Sequence, residues 1–267
     1  MIGAIIGDIV GSRFEFNNHK SKDFSLFSNE CSYTDDSVMT LALGDAILRC
    51  NGDYSKLQSW AVSRMRELGR RYYDAGYGAR FYDWIFSSYP RPYNSCGNGA
   101  AMRISGVGFA ARTLDECKEM SRTVTEVTHN HPDGIRGAEA TATAIFMARQ
   151  GALIPEIKKV FTEKYYPIPF TLDSIRPDYP WGALCSNTVP QAMEAFFEST
   201  SFEDAIRNAI SLGGDSDTIG AITGGVAEAY YGVPDELREK ALPYLTCELR
   251  EILERFETAF PWQKPDR

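Results

Sequence analysis

Residues 213–225 read GGDSDTIGAITGG, and few folds can accommodate that run. The pair Gly213-Gly214 permits a sharp turn and a close backbone approach. Asp215 then suits a helix N-cap, and an acid in the first turn meets the positive end of the helix dipole. From Ile219 onward the smallest residues recur four apart, Gly220 with Gly224 and Ala221 with Gly225. Positions four apart share a helix face, so this face is nearly bare and another backbone can pack closely on it. The spacing predicts that this helix stops near Gly232, with Pro234 just beyond. Glycine inside a helix costs about 0.5–1 kcal/mol relative to alanine, so retaining three implies that the room is needed. The first helix, about Ile2 to Gly11, carries another bare ridge, with glycine at 3, 7 and 11.

Helical spacing continues through most of the chain. Helices are predicted from the Thr34 cluster to about Cys50, and from Tyr54 to Arg71 with Leu57, Trp60, Ala61 and Leu68 inward. A glycine-rich entry at Cys96 leads into a helix to about Arg112, and Thr113 with Glu116 forms a capping box for one ending near His129. Pro132 opens a helix to Gln150, stopped by Gly151, and another covers about Ile154 to Tyr165. Asn187 and Ser201 are expected to cap two more, and helices near Pro234–Leu242 and Tyr244–Ala259 close the chain. Tyr72 to Tyr93 is an aromatic, glycine-broken region ending in a loop at Pro90 and Pro92, and Pro167 to Gly182 is an irregular loop. Convincing β alternation is nearly absent. The class is all-α, one layer-packed orthogonal helix bundle forming a single domain over residues 1–267.

The chemistry is concentrated in acids. Thr34-Asp35-Asp36-Ser37 is a second acidic cluster at a helix start, far in sequence from Asp215 and Asp217. Together the clusters offer four carboxylates and the hydroxyls of Thr34 and Thr218, all hard oxygen ligands. Four carboxylates in one low-dielectric site repel strongly unless protons, basic partners or cations relieve them. Oxygen-only ligand sets suit magnesium, manganese or calcium rather than zinc or copper. Asp8, inside an apolar helix, reads as a buried, hydrogen-bonded structural acid.

Charge and composition exclude other classes. The net charge of −8 comes without a basic block, which argues against a nucleic-acid partner. No apolar run is long enough to span a membrane. The apolar N-terminus lacks a basic n-region and is interrupted by Asp8, which argues against a signal peptide. The six cysteines are scattered without a C-x-x-C pair, the pattern of reduced thiols in a cytoplasmic protein.

Four motifs carry a family resemblance: G-D-x-x-G-S-x-x-E (Gly7 to Glu15), T-D-D-S (Thr34 to Ser37), G-N-G-x-x-M-R (Gly97 to Arg103) and G-D-S-D-T (Gly214 to Thr218). With Thr128-His129, they make the chain resemble the ADP-ribosylglycohydrolase family. The resemblance implies an all-α bundle with two magnesium or manganese ions at the bottom of a cleft. It implies that Thr34, Asp35, Asp36, Asp215, Asp217 and Thr218 bind the metals. Glu15 matches a glutamate beside them, a candidate to activate water or gate entry, and Asp36 is a second catalytic candidate.

The same resemblance assigns diphosphate and ribose binding to His129 and to the loop residues Ser95, Cys96, Gly97, Asn98, Gly99 and Met102. Glycines at 97 and 99 allow backbone N–H groups to face a diphosphate, and Asn98 can add an amide donor. Arg103 is expected to pair with a structural carboxylate, and Cys96 has no activating base. The implied function is metal-dependent hydrolysis of the glycosidic bond between ADP-ribose and a protein side chain or small conjugate. The alternative is a non-catalytic ADP-ribose-binding or structural relative. Ser95 stands where some arginine-specific relatives have an acid and resembles relatives acting on O-linked ADP-ribose, so the leaving group stays open between arginine, serine, an O-acetyl group and another conjugate. The cleft rim, within Tyr72–Tyr93, is expected to set it. A monomer is the default.

Overall fold

The computed structural model describes residues 1–265; the last two positions of the expected domain, 266 and 267, lie outside the described residues. The described chain is helical, with one isolated antiparallel bridge between Gly97 and Leu184. In order the helices are α1 (Ile2–Ser12), α2 (Asp35–Cys50), α3 (Leu57–Arg71), α4 (Ala79–Phe86), α5 (Gly99–Met102) and α6 (Ser105–Ala110). They continue with α7 (Leu114–Thr125), α8 (Pro132–Arg149), α9 (Ile154–Lys164), α10 (Leu172–Ile175) and α11 (Val189–Phe197). The last four are α12 (Phe202–Ser211), α13 (Ser216–Tyr231), α14 (Asp235–Ala241) and α15 (Cys247–Ala259).

The two bare ridges predicted from the sequence pack on each other. A Cβ on Gly3 would overlap the Gly224 carbonyl, one on Gly7 the Gly220 carbonyl, and one on Gly11 would lie 2.5 Å from the Ser216 carbonyl oxygen. α1 and α13 therefore touch backbone to backbone along their length, and both are almost wholly buried. Branched side chains on their other faces, such as Ile5, Ile9, Ile219 and Ile222, fill the surrounding core. At about 25 cal/mol per Å² of apolar area removed from water, this central pair contributes heavily to stability.

That seam places the chemistry. The start of α13 lies beside Gly11, at the C-terminal end of α1. One turn earlier, Asp8 accepts hydrogen bonds from the Thr34 N–H and hydroxyl (3.0 and 2.7 Å) and from the Ser37 N–H (3.0 Å) and hydroxyl. Asp8 is thus the structural acid expected, and it clamps the start of α2 to α1. Both acidic helix starts meet where α1 runs out towards Glu15.

Several local expectations need correction. The segment from Cys96 to Arg112 is not one helix; it breaks between α5 and α6 at Arg103-Ile104. The aromatic region contains α4, whose Phe81, Trp84 and Ile85 are buried. Asn187 does not cap α11. Its carbonyl side-chain oxygen instead accepts from the Leu184 N–H at 3.2 Å, and Thr188 takes the cap position. Asp215 occupies the N-cap of α13, yet its carboxylate makes no capping hydrogen bond. The Thr34 hydroxyl and the Ser201 hydroxyl cap α2 and α12 by accepting from Asp36 and Asp204.

Candidate functional site

A cavity of about 400 Å³ opens over the two acidic helix starts. Of the residues predicted to form the site, it is lined by Glu15, Thr34, Asp35, Asp36, Ser95, Gly97, Asn98, Gly99, Met102, His129, Asp215, Asp217 and Thr218. Cys96 is not among the lining residues; its carbonyl accepts from the Cys185 N–H at 3.0 Å. Tyr93 with Ala75, Gly76, Gly78, Ala79, Arg80 and Phe81 supplies one wall, so part of the aromatic region does border the cleft.

The floor is acidic and has no basic counterpart. Carboxylate oxygens of Glu15, Asp215 and Asp217 lie within 4.8 Å of one another. Asp36 accepts from the Thr218 hydroxyl at 3.2 Å through Oδ2, while its buried Oδ1 has no hydrogen-bond partner among the described residues. None of the five floor carboxylates forms an ion pair with a described basic side chain. Burial, reinforced by the neighbouring acids, pushes Asp35 up to about 8 and Glu15 up to about 7. Asp36 and Asp217 are driven well above the usual carboxylate range for the same reasons. Burial also raises Asp8 to about 6, against its four hydrogen bonds. Unpaired acids, an orphaned buried oxygen and an all-oxygen donor set fit divalent cations, and repulsion of this kind is what such cations relieve.

The glycine loop works differently from the sequence expectation. The Gly97 N–H is taken by the Ser95 hydroxyl at 3.2 Å and the Asn98 N–H by the Ala183 carbonyl at 2.9 Å. The Asn98 amide expected to face a diphosphate instead donates to Asp215 Oδ2 at 2.7 Å and to the Thr188 hydroxyl at 3.2 Å. Asn98 therefore orients a metal-ligand candidate, which explains why Asp215 leaves its helix cap unmade. Partners of this kind typically change metal affinity 10- to 100-fold. Asn98→Ala should weaken manganese binding by about that factor, read by calorimetric titration, with little change in helicity. Unchanged affinity would mean that Asp215 is held by its backbone alone.

The opposite end of the cavity is basic and aromatic. Arg103 is buried; its guanidinium donates to the Thr128 hydroxyl at 2.6 Å, lies 3.4 Å from His129 Nδ1 and stands over the Phe81 ring at 5.4 Å. The expected carboxylate partner is replaced by a hydroxyl, an imidazole and a ring face. Burial lowers Arg103 to about 10, still charged at neutral pH. Burial beside Arg103 and Arg80 drives His129 well below its ordinary value, so it is neutral. With Nδ1 facing the Arg103 donor, the imidazole proton belongs on Nε2, the edge turned towards Gly97 and Gly99. Arg80 and Tyr93 complete this end, the guanidinium 4.9 Å from the ring centroid.

Sequence reasoning missed Trp181, Arg80 and Phe81, all of which line the cavity. Trp181 sat in a stretch whose prolines marked only a loop. Arg80 and Phe81 sat in one marked only by aromatics.

The chain is similar to known proteins along nearly its whole length. The profile of the family described as ADP-ribosylglycohydrolase matches residues 1–265. ADP-ribosylhydrolase ARH3 of Xenopus tropicalis is 26% identical, with 87% of this chain and 86% of that protein covered. ADP-ribosylarginine hydrolase Tri1 of Pseudomonas putida (strain GB-1) is 27% identical, with 90% of this chain and 72% of that protein covered. A solved structure of an ADP-ribosylglycohydrolase-related protein complex has the same fold, with a TM-score of 0.70 at 22% identity over 97% of this chain and 94% of that one.

Proposed function

Since the chain belongs to the ADP-ribosylglycohydrolase family, we propose that it is a metal-dependent hydrolase that releases ADP-ribose from a protein side chain or small conjugate. The observation that carries this reading is the cavity floor, where five carboxylates meet without a basic partner. Thr34, Asp35, Asp36, Asp215, Asp217 and Thr218 are the residues that would hold two magnesium or manganese ions. When bound, such ions supply positive charge that orients ribose hydroxyls and makes water a better nucleophile.

The chain's own groups account for the remaining steps. The diphosphate belongs at the basic end, where Arg103 and Arg80 supply charge and the His129 Nε2–H can donate to an oxygen. That places the ribose C1″ carbon towards the acids. Cleavage develops oxocarbenium character there, and the floor carboxylates stabilise it. Glu15 is the candidate base. Its half-buried carboxylate faces the cavity beside Asp215, and it can take a proton from the attacking water as the bond to the leaving group breaks. The leaving group carries away the bonding electron pair and takes up the proton that Glu15 removed from the water, which returns Glu15 to its starting state.

The test is calorimetric titration of metal-stripped protein with ADP-ribose, with and without magnesium or manganese, followed by assays for release from linked conjugates. Metal-dependent binding and release are expected. Folded protein that binds no ADP-ribose under any metal condition would overturn the reading.

A further inference from the structure

We propose that Trp181 is a specificity-determining residue whose indole face receives a cationic, guanidinium leaving group, so that the preferred substrate is arginine-linked rather than serine-linked ADP-ribose. The inference rests on the hydrolase reading and deepens it. Among the described residues several large apolar side chains are exposed, including Phe16, Tyr73 and Tyr89, but Trp181 is the one that also lines the cavity. It is 53% exposed, so it is presented to solvent rather than used as core.

The chain around it is built to hold it there. On one side the Tyr179 carbonyl accepts from Lys20 Nζ at 2.8 Å, and the Tyr179 hydroxyl donates to the Asn187 carbonyl. Gly214 leaves room for the Tyr179 ring, since a Cβ there would lie 3.1 Å from the ring's Cδ1. On the other side Ala183 and Cys185 hydrogen-bond the loop residues Asn98 and Cys96 at 2.9 and 3.0 Å. The Gly182 carbonyl accepts from the Thr188 hydroxyl at 3.3 Å. Pro180 and Trp181 lie between these anchors, so the backbone that carries the indole is held from both sides.

Charge distribution then selects the ligand. Arg80 and Arg103 line one end of the cavity, and Glu15 lies with Asp215 and Asp217 at the other. Trp181 belongs to the acidic end: it lines the cavity with Glu15, and while burial, Asp215 and Asp8 raise the Glu15 carboxyl, the nearby indole lowers it. Five carboxylates also exceed the charge of two divalent cations by one. A substrate with an anionic diphosphate and a cation beyond C1″ matches this polarity. A planar guanidinium stacks on an indole face and pairs with a carboxylate at its edge. A serine hydroxyl gains neither contact.

The experiment compares kcat/KM of the metal-loaded protein on ADP-ribosylarginine and on a peptide carrying ADP-ribosylserine. In Trp181→Ala the arginine-to-serine ratio should fall at least about tenfold, mainly through KM for the arginine substrate, and Trp181→Phe should restore most of it. Any effect on Glu15 slows both substrates and cancels in the ratio. A ratio unchanged by Trp181→Ala, or a wild type that prefers the serine-linked peptide, overturns the inference and leaves the hydrolase reading standing. Folded, metal-loaded wild type that releases ADP-ribose from neither overturns both.

Discussion

Asp217→Asn is expected to lower ADP-ribose release by at least about a hundredfold while making the metal-free protein more stable. The two effects have one cause. Asp217 is buried, and its carboxylate is raised well above its ordinary range first by that burial and then by Asp36 and Asp215. Asparagine keeps the shape and the acceptor oxygen that meets the Thr218 N–H at 3.0 Å, but removes one charge from the crowd. The metal-free fold should gain about 1–3 kcal/mol at pH 8, the scale of an uncompensated buried polar group.

The pH dependence has a definite sign. Glu15 and Asp35 are raised from 4.5 to about 7 and from 3.8 to about 8. Between the unfolded and folded values the native state binds more protons than the unfolded chain, so stability falls as the pH rises through that window. Metal-stripped wild type should therefore melt at a lower temperature at pH 8 than at pH 5. The decline should be shallower in Asp217→Asn. Bound divalent cations take the place of the protons, so manganese should raise the melting temperature far more at pH 8 than at pH 5. Scanning calorimetry of both proteins with and without chelator checks all of this. A metal-free wild type whose stability rises with pH would show that the acids are compensated by something other than cations.

What could be read from the sequence was what local spacing controls. The seam between α1 and α13 was visible as two glycine ridges, because small residues four apart have few other uses in a buried helix. The acidic helix starts were visible because threonine and aspartate before an apolar period mark a cap. The structural role of Asp8 followed from an acid among Ile5, Ile6, Ile9 and Val10. What stayed hidden depends on partners distant in sequence. Nothing near Asn98 indicates that its amide belongs to Asp215, 117 residues away. Nothing near Gly97 shows that Ser95 and Ala183 occupy the N–H groups of Gly97 and Asn98. Trp181 was hidden for the same reason, since a proline-rich loop shows where regular structure ends and not what it faces.

Gly7→Ala is expected to cost more than about 4 kcal/mol, a large share of the roughly 5–15 kcal/mol that holds a domain together. The added methyl would overlap both the oxygen and the carbon of the Gly220 carbonyl. Both atoms are backbone, so no rotamer change relieves the clash and the two helices must separate. Separation leaves gaps along a seam that is close-packed from Gly3–Gly224 to Gly11–Ser216 and draws Asp8 away from the start of α2. Gly44→Ala is the control. Its Cβ meets the Met1 Cε at 2.6 Å and Sδ at 3.0 Å, the mobile end of a thioether, and alanine favours the helix by about 0.5–1 kcal/mol. Urea unfolding should show Gly44→Ala within about 1 kcal/mol of wild type and Gly7→Ala largely unfolded. Equal, mild effects would mean that the helix spacing is not set by this seam. Gly11→Ala tests the link to chemistry, because its Cβ would lie 2.6 Å from the Asp217 Cα. If the seam positions the metal ligands, Gly11→Ala should lose manganese affinity even in whatever fraction of the protein remains folded.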